Sequence, residues 1–314
     1  LPGYNVSYGK RLPVAIKVFA DAPRLLGLIA KEHKELNKII RELKIDMVIS
    51  DNRYGLWNKS VYSVFITHQV NIIAPAAFML YAPVLRLATR YHMKHYDESW
   101  IPDFAGKLNL SGKLSHGRNL PQNTSYIGLL SRFDQLKATK RSQRRYDVVA
   151  IVSGPEPQRT IFENKLLARL PLPDKHCLLL RGIPGDTQIK PLRKGLDIAD
   201  HLETEELGSI LHQKPVVICR AGYSTLMDIA YTGNKAVLIP TPGQTEQEFL
   251  AKNLHKAGIY AARKQKDFDL SEAYNQAIAC SGFNLPKNHT YYQGVIYKLM
   301  QKLKSEKSIH PKKG

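Results

Sequence analysis

Four short segments hold the side chains of this chain that are best suited to bind or transform a ligand. Each lies beside an apolar run typical of a strand; they are residues 153–159, 201–202, 219–228 and 240–248. In open parallel sheets, ligands bind beyond the carboxyl ends of the strands, where loops enter helices. The unpaired N–H groups at such helix starts bind phosphate. The four segments therefore predict a site for a phosphorylated ligand.

The segment 219–228 carries the strongest signal of the four. Gly222 follows a buried strand, and its lack of a Cβ lets the backbone approach a ligand closely. Ser224 or Thr225 then caps a helix whose positive end faces that ligand. Asp228 lies in the first turns of the helix, where its carboxylate can accept hydrogen bonds from a ribose diol. The alternative is that Asp228 only compensates the helix dipole.

The first and last of the four segments add weaker signals. Ser153 and Gly154 allow a tight turn, but they form neither a P-loop nor the dinucleotide fingerprint, which argues against ATP and NAD. A plain turn is the alternative there. Glu246 and Gln247 suit vicinal sugar hydroxyls, because a carboxylate accepts hydrogen bonds and an amide both donates and accepts them. A capping box that begins near Thr245 is compatible with that role.

Alternating strand and helix patterns must position these segments. Helices are predicted over 22–43, 158–170, 203–212, 224–232 and 246–257, and strands over 45–50, 61–67, 124–130, 146–152, 176–181, 198–202, 215–219 and 236–240. This alternation predicts βαβ units and parallel sheets. The length of 314 residues predicts about two domains. We expect them over 1–130 and 146–297, with a basic linker over 131–145 and a basic tail over 298–314.

The strongest segment and its surroundings resemble a known family. The resemblance is carried by residues 219–230, Gly233, residues 236–240, Gln247 and Asn253. This pattern is similar to the donor-binding domain of family 28 glycosyltransferases, over roughly residues 146–280. It implies an α/β protein of the GT-B fold, with two Rossmann-like domains whose parallel sheets face a cleft. It also implies metal-independent hexosyl transfer from a nucleotide sugar, UDP-linked in the best-known member, without a cofactor.

The resemblance gives individual residues a role in donor binding. It implies that Asp228 binds the ribose and that the Leu202 backbone contacts the uracil. It implies a diphosphate site formed by Gly222, Tyr223, Ser224 and Thr225. It also implies that Glu246 and Gln247 bind the sugar hydroxyls. Ser153 and Gly154 occupy the place of the family's phosphate turn. This sequence departs from that turn, because Pro155 removes one N–H donor.

The first half of the chain matches the family less well. Residues 67–71 stand where the family has a His-Glu-Gln-Asn run on the acceptor side. His68 is the candidate for acceptor contact or proton transfer, and a structural histidine is the alternative. Arg220 either stabilises the leaving group or packs on the interdomain face. The other acceptor-side candidates are Asp51, Asn52, Gln69 and Asn71.

The family's opening unit, a strand followed by a glycine-rich loop with a histidine, has no counterpart in this chain. The sequence begins at Leu1, after the place where that unit stands in the family. We therefore expect a first domain that lacks its opening βα unit. We also expect the catalytic base to lie upstream of Leu1.

The charge of the chain calls for an anionic partner. It has 46 basic and 27 acidic side chains, a formal net charge of +19. Residues 1–145 hold 23 basic and 10 acidic side chains, and residues 298–314 hold six Lys and one Glu. In residues 71–100, apolar side chains precede basic ones, which is typical of a membrane-surface segment; a buried helix pair is the alternative.

These patterns favour a cytoplasmic glycosyltransferase that is peripheral at the inner membrane face, with an anionic or lipid-linked acceptor. The three cysteines lack the spacing of a disulfide framework or a zinc site. One alternative is a nucleotide-sugar epimerase or hydrolase of the same fold. The other alternative is a nucleic-acid-binding protein. Only the net charge supports it, since no known nucleic-acid-binding motif accompanies that charge.

Overall fold

The computed structural model describes residues 22–73, 80, 82–117, 120–136, 144–266, 269–286 and 291–309.

A parallel sheet forms the centre of the first domain. The sheet has the order β1-β2-β3-β4, and its strands are β1 (Met47–Asp51), β2 (Tyr62–Ile66), β3 (Glu98–Ile101) and β4 (Thr124–Tyr126). Two helices belong to the same domain, α1 (Ala22–Leu43) and α2 (Ala82–Met93).

A seven-stranded sheet forms the centre of the second domain, in the order β11-β10-β9-β5-β6-β8-β7. Its strands are β5 (Val148–Ile151), β6 (Cys177–Leu180), β7 (Lys190–Arg193), β8 (Leu196–Ala199), β9 (Val216–Cys219), β10 (Ala236–Leu238) and β11 (Ala261–Ala262). The helices between them are α3 (Gln158–Leu167), α4 (Thr204–Leu211), α5 (Tyr223–Thr232) and α6 (Thr245–Lys256), and α7 (Leu270–Ala279) follows the last strand. Only the edge strand β7 runs antiparallel to its neighbour.

Apolar residues on both faces of the second sheet explain this architecture. Every residue of β6 and β9 is buried. Strands covered by helices on both faces read as continuous apolar runs, as these two do. The predicted α/β class with parallel sheets is confirmed, and the predicted strands of this domain lie within a few residues of the observed ones.

The C-terminal helix α8 (Tyr291–Ile309) returns to the first domain. Leu299 is buried and packs against Val64 of β2, Trp100 of β3 and Ile127, the residue after β4. The predicted boundary at residue 297, where the basic tail was expected to begin, falls inside this helix. Residues 310–314 of the predicted tail lie outside the described residues. Lys298, Lys302 and Lys304 thus add their charges to the first domain.

No helix in the described part of the chain combines the length and the apolar character needed to cross a bilayer.

Candidate functional site in the interdomain cleft

A histidine of the first domain is held by two side chains of the second. His68 follows β2, and its Nε2 atom lies 2.7 Å from Oε1 of Glu246, the second residue of α6. The His68 ring also stacks on Tyr223, the first residue of α5, with ring centroids 4.0 Å apart and an angle of 3° between planes. Three predicted site residues from both domains therefore meet at one point.

Other contacts close the cleft around this point. The Tyr223 hydroxyl donates to the Pro102 carbonyl at 2.9 Å, and the Thr245 hydroxyl donates to the Ile73 carbonyl at 3.1 Å. Gly112 has a φ of +52°, and a Cβ there would lie 2.8 Å from Nδ2 of Asn253. The loops of the first sheet thus touch the starts of α5 and α6 directly.

The start of α5 has the features of a phosphate site. Gly222 is extended, and its carbonyl accepts the first helical hydrogen bond, from the Leu226 N–H at 2.9 Å. That pattern leaves the earlier N–H groups of the turn available to a ligand. Ser224 is exposed and Thr225 is half-buried beside them.

Asp228 is bound by the segment that leads out of the first domain. Its Oδ1 accepts hydrogen bonds from the Ser131 hydroxyl at 2.8 Å and the Arg132 N–H at 3.3 Å, and its Oδ2 accepts one from Arg132 Nε at 3.0 Å. The Asp228 side chain is 14% exposed. Burial raises the pKa of Asp228, although Ser131 and Arg132 oppose the shift. The sequence alone did not point to Ser131 and Arg132.

The polar side chains at the start of α6 fold back onto the preceding loop. Gln247 Oε1 accepts a hydrogen bond from the Thr241 N–H, and Glu248 Oε1 accepts one from the Gly243 N–H, both at 2.9 Å. The Thr245 side chain makes no capping bond, because its hydroxyl goes to the first domain. The capping box is therefore absent, and Glu246 is left to face His68.

The remaining predicted donor residues border the same end of the second sheet. Gly154 follows β5 with a φ of +107°, and a Cβ there would lie 4.0 Å from the Thr241 hydroxyl. The half-buried Ser153 precedes it. Leu202 follows β8, and its side chain is buried in the same core cluster as Tyr223.

Arg220 is buried among main-chain acceptors. Its guanidinium donates to the carbonyls of Ile239, Pro240 and Gln158 at 2.9–3.3 Å and lies 4.1 Å from the centre of the Phe162 ring. Burial lowers the pKa of Arg220 to about 10. The three carbonyls and the ring all belong to the second domain, so these contacts favour a structural role inside that domain, and the leaving-group role stays a prediction.

The acceptor-side candidates lie at the carboxyl ends of β1 and β2. Asn52 Oδ1 accepts a hydrogen bond from the Thr67 hydroxyl at 3.1 Å, and Asn71 Nδ2 donates to the Lys113 carbonyl at 3.0 Å. Gln69 lies beside His68, with Nε2 atoms 3.3 Å apart. Asp51 is exposed at the end of its strand. Asn52 and Asn71 therefore hold loops around the cleft.

The described residues contain no group of three or more His, Cys, Asp or Glu side chains that would hold a metal ion.

Known proteins resemble this chain in sequence and fold. The glycosyltransferase family 28 C-terminal domain matches residues 169–290. An uncharacterized glycosyltransferase of Methanosarcina acetivorans is 24% identical over 239 residues, 72% of this chain and 60% of that protein. A UDP-N-acetylglucosamine–N-acetylmuramyl-(pentapeptide) pyrophosphoryl-undecaprenol N-acetylglucosamine transferase of Caldanaerobacter subterraneus is 31% identical over 75 residues, 23% of this chain and 21% of that protein. The crystal structure of the glycotransferase of kitacinnamycin has a TM-score of 0.58 at 15% identity, covering 96% of this chain and 86% of that one.

The chain spans about 60% of the length of the Methanosarcina relative. Its two Rossmann-like domains, with parallel sheets that meet at a cleft, have the GT-B architecture. The matched segment includes the starts of α5 and α6. Residues 169–290 are therefore similar to the C-terminal domain of family 28 glycosyltransferases, and the chain has the GT-B fold.

Proposed function

We propose that this protein transfers a hexose from a UDP-linked donor to an acceptor bound by the first domain. The observation that carries the proposal is the meeting of His68 with the starts of α5 and α6. Those helix starts are the predicted sites of the donor diphosphate and sugar. The Caldanaerobacter relative is named as a transferase that uses UDP-N-acetylglucosamine, which supports UDP as the nucleotide.

The donor lies across the carboxyl end of the second sheet in this proposal. The N–H groups at the start of α5, with Ser224 and Thr225, receive the diphosphate, because a helix N-terminus stabilises negative charge. Asp228 accepts hydrogen bonds from the ribose hydroxyls, and the Leu202 backbone meets uracil. Ser153 and Gly154 border the diphosphate, and Gln247 stands on the sugar side.

The reaction is a displacement at the anomeric carbon of the sugar. The acceptor oxygen forms the new bond to that carbon while its proton passes to a base. The bond between the sugar and UDP breaks, and its electron pair leaves with the diphosphate. The positive end of α5 stabilises the leaving group, so the proposed chemistry uses no metal ion.

We further propose that the first domain receives a lipid-linked or anionic acceptor at a membrane surface. An apolar groove of about 1310 Å³ lies between α1 and α2, and Leu26, Val84, Leu87 and Tyr91 line it and are exposed. Basic side chains of the same helix region accompany them, including Arg90 and Lys94. Apolar surface with a basic border suits an anionic bilayer.

Part of the predicted membrane segment, residues 74–79 and 81, lies outside the described residues. The name of the Caldanaerobacter relative includes a pyrophosphoryl-undecaprenol group, which is both anionic and lipid-linked. That chemistry matches the apolar groove and its basic border.

Thermal unfolding in the presence of nucleotides tests the donor. A ligand at about 100 times its Kd stabilises the folded state by about 2.7 kcal/mol, so UDP and UDP-sugars should raise the Tm, and ADP should raise it less. The absence of any shift with UDP or UDP-sugars would refute the UDP donor. Product analysis with donor alone separates the reactions, because an epimerase or hydrolase consumes the donor without an acceptor.

A further inference from the structure

The contact between His68 and Glu246 fixes the hydrogen of the imidazole. An ionised carboxylate only accepts hydrogen bonds, so at 2.7 Å the Nε2 atom of His68 carries the hydrogen and donates it to Glu246. The Gln69 amide nitrogen lies 3.3 Å from the same Nε2 atom and is itself a donor, so the shorter contact with the carboxylate decides the tautomer and Gln69 makes no hydrogen bond to Nε2. Nδ1 then carries the lone pair. No described residue forms a hydrogen bond with Nδ1. The pair therefore leaves one ring nitrogen ready to accept a proton.

The orientation of the His68 ring is fixed as well. Tyr223 stacks on His68 at 4.0 Å, and its own hydroxyl is anchored on the Pro102 carbonyl. Tyr223 is buried, and burial with the nearby Asp103 raises the pKa of Tyr223 well above its ordinary value, so the hydroxyl stays protonated and keeps donating. His68 is thus held by Glu246 at one edge and by Tyr223 across one face.

We propose that His68 is the base that deprotonates the acceptor, and that Glu246 is its positioning residue. This inference rests on the proposed glycosyl transfer, and it places the base at His68 rather than upstream of Leu1, where the family resemblance led us to expect it. The acceptor O–H gives its proton to Nδ1 of His68 as the acceptor oxygen attacks the anomeric carbon, and the sugar–diphosphate bond breaks with its electron pair on UDP. Glu246, whose side chain is half-buried, keeps the hydrogen on Nε2 and stabilises the imidazolium that forms, as the carboxylate of a hydrolytic triad does for its histidine.

This role differs from the one that the family resemblance implies for Glu246. If Glu246 bound the donor sugar, it would contribute to donor affinity. Its replacement would then raise the KM for the donor with little effect on kcat. A positioning residue acts on the proton transfer, and its loss lowers kcat with little effect on donor KM. The two roles therefore make opposite predictions for the same variant.

The test uses the full chain with the variants Glu246→Gln and Glu246→Ala, and Glu248→Gln as the matched control in the same helix turn. Positioned proton transfer contributes about 100- to 10,000-fold to rate, so Glu246→Gln should lower kcat by about 100-fold or more. The KM for the UDP-sugar should stay within about twofold of the wild type. Glu248→Gln should leave both values close to wild type, because its amide oxygen can still accept the Gly243 hydrogen bond.

A second measurement follows the imidazole itself and does not depend on turnover. Nitrogen-15 NMR of histidine-labelled protein, with His68 assigned by the His68→Gln variant, reports which ring nitrogen carries the hydrogen. We expect the hydrogen on Nε2 in the wild type and a mixture of both tautomers in Glu246→Ala. A mixed tautomer in the wild type, or a raised donor KM with unchanged kcat in both Glu246 variants, would overturn the positioning role. If the wild type transfers no sugar at all while its tautomer is as expected, the proposed function fails instead.

Discussion

The hydroxyl of Ser131 donates a 2.8 Å hydrogen bond to the carboxylate of Asp228, 97 residues further along the chain. This contact joins the end of the first domain to the helix that we propose binds the donor. Arg132 adds a main-chain and a side-chain hydrogen bond to the same carboxylate. The proposed ribose ligand is therefore positioned by the segment that connects the domains.

Replacing Asp228 with Asn should weaken UDP binding by about tenfold or more. A hydrogen bond to a charged acceptor contributes about 1.5–3 kcal/mol, and each 1.4 kcal/mol is a factor of ten in affinity. Isothermal titration calorimetry with UDP measures the loss, and Glu248→Gln serves as the control. Unchanged affinity in Asp228→Asn would remove Asp228 from the donor site.

The same variant should be at least as stable as the wild type at pH 7. Burial raises the pKa of Asp228, so the folded state binds this proton more tightly than the unfolded state does. Such a group contributes stability below its unfolded pKa, and that contribution is lost as the pH rises through the folded pKa. Denaturant unfolding should show the advantage of Asp228→Asn at pH 7 and its disappearance in acid. A clear loss of stability at pH 7 would contradict this sign.

Arg220→Ala should destabilise the second domain by about 3–5 kcal/mol. The variant leaves three carbonyl acceptors without the guanidinium that they share, and each buried acceptor left unsatisfied costs about 1–3 kcal/mol. Urea unfolding measures the change, and Arg24→Ala on the exposed surface of α1 is the control. A stably folded Arg220→Ala protein with greatly reduced kcat would instead support the leaving-group role.

Leu299→Ala should destabilise the first domain by about 2–4 kcal/mol. Leu299 is 4% exposed and packs on Val64, Trp100 and Ile127, so its truncation opens a cavity between α8 and the sheet. Met300→Ala, at a side chain that is 45% exposed, is the matched control. Equal free energies of unfolding for the two variants would show that the packing of α8 on the first domain contributes little to stability.

The sequence predicted the second domain well because its strands are continuous apolar runs followed by clear turns. The first domain was harder. The strand β3 contains the buried Ser99 and the buried Trp100 beside Glu98, and this short mixed run has no periodicity to mark it. The helix α8 was hidden by its lysines, although Val295, Leu299 and Leu303 recur at helical spacing and pack on the first sheet.

The candidate site was predictable where local motifs mark it and not where distant segments meet. Gly222, Asp228 and Glu246 stand at helix entries that the sequence patterns identify. The partners of Asp228 lie in a basic connection without any apolar period, so nothing local indicates that it folds over α5. The contact between His68 and Glu246 spans 178 residues and depends on how the two domains pack.

Hydrogen–deuterium exchange with and without UDP tests most directly the claim that the second domain binds the donor at the starts of α5 and α6. We expect UDP to slow amide exchange in residues 222–228 and 244–247. Exchange in α7, on the other side of the sheet core, should stay unchanged. Saturating UDP that leaves both helix starts unprotected, or that protects a different part of the chain instead, would contradict the account.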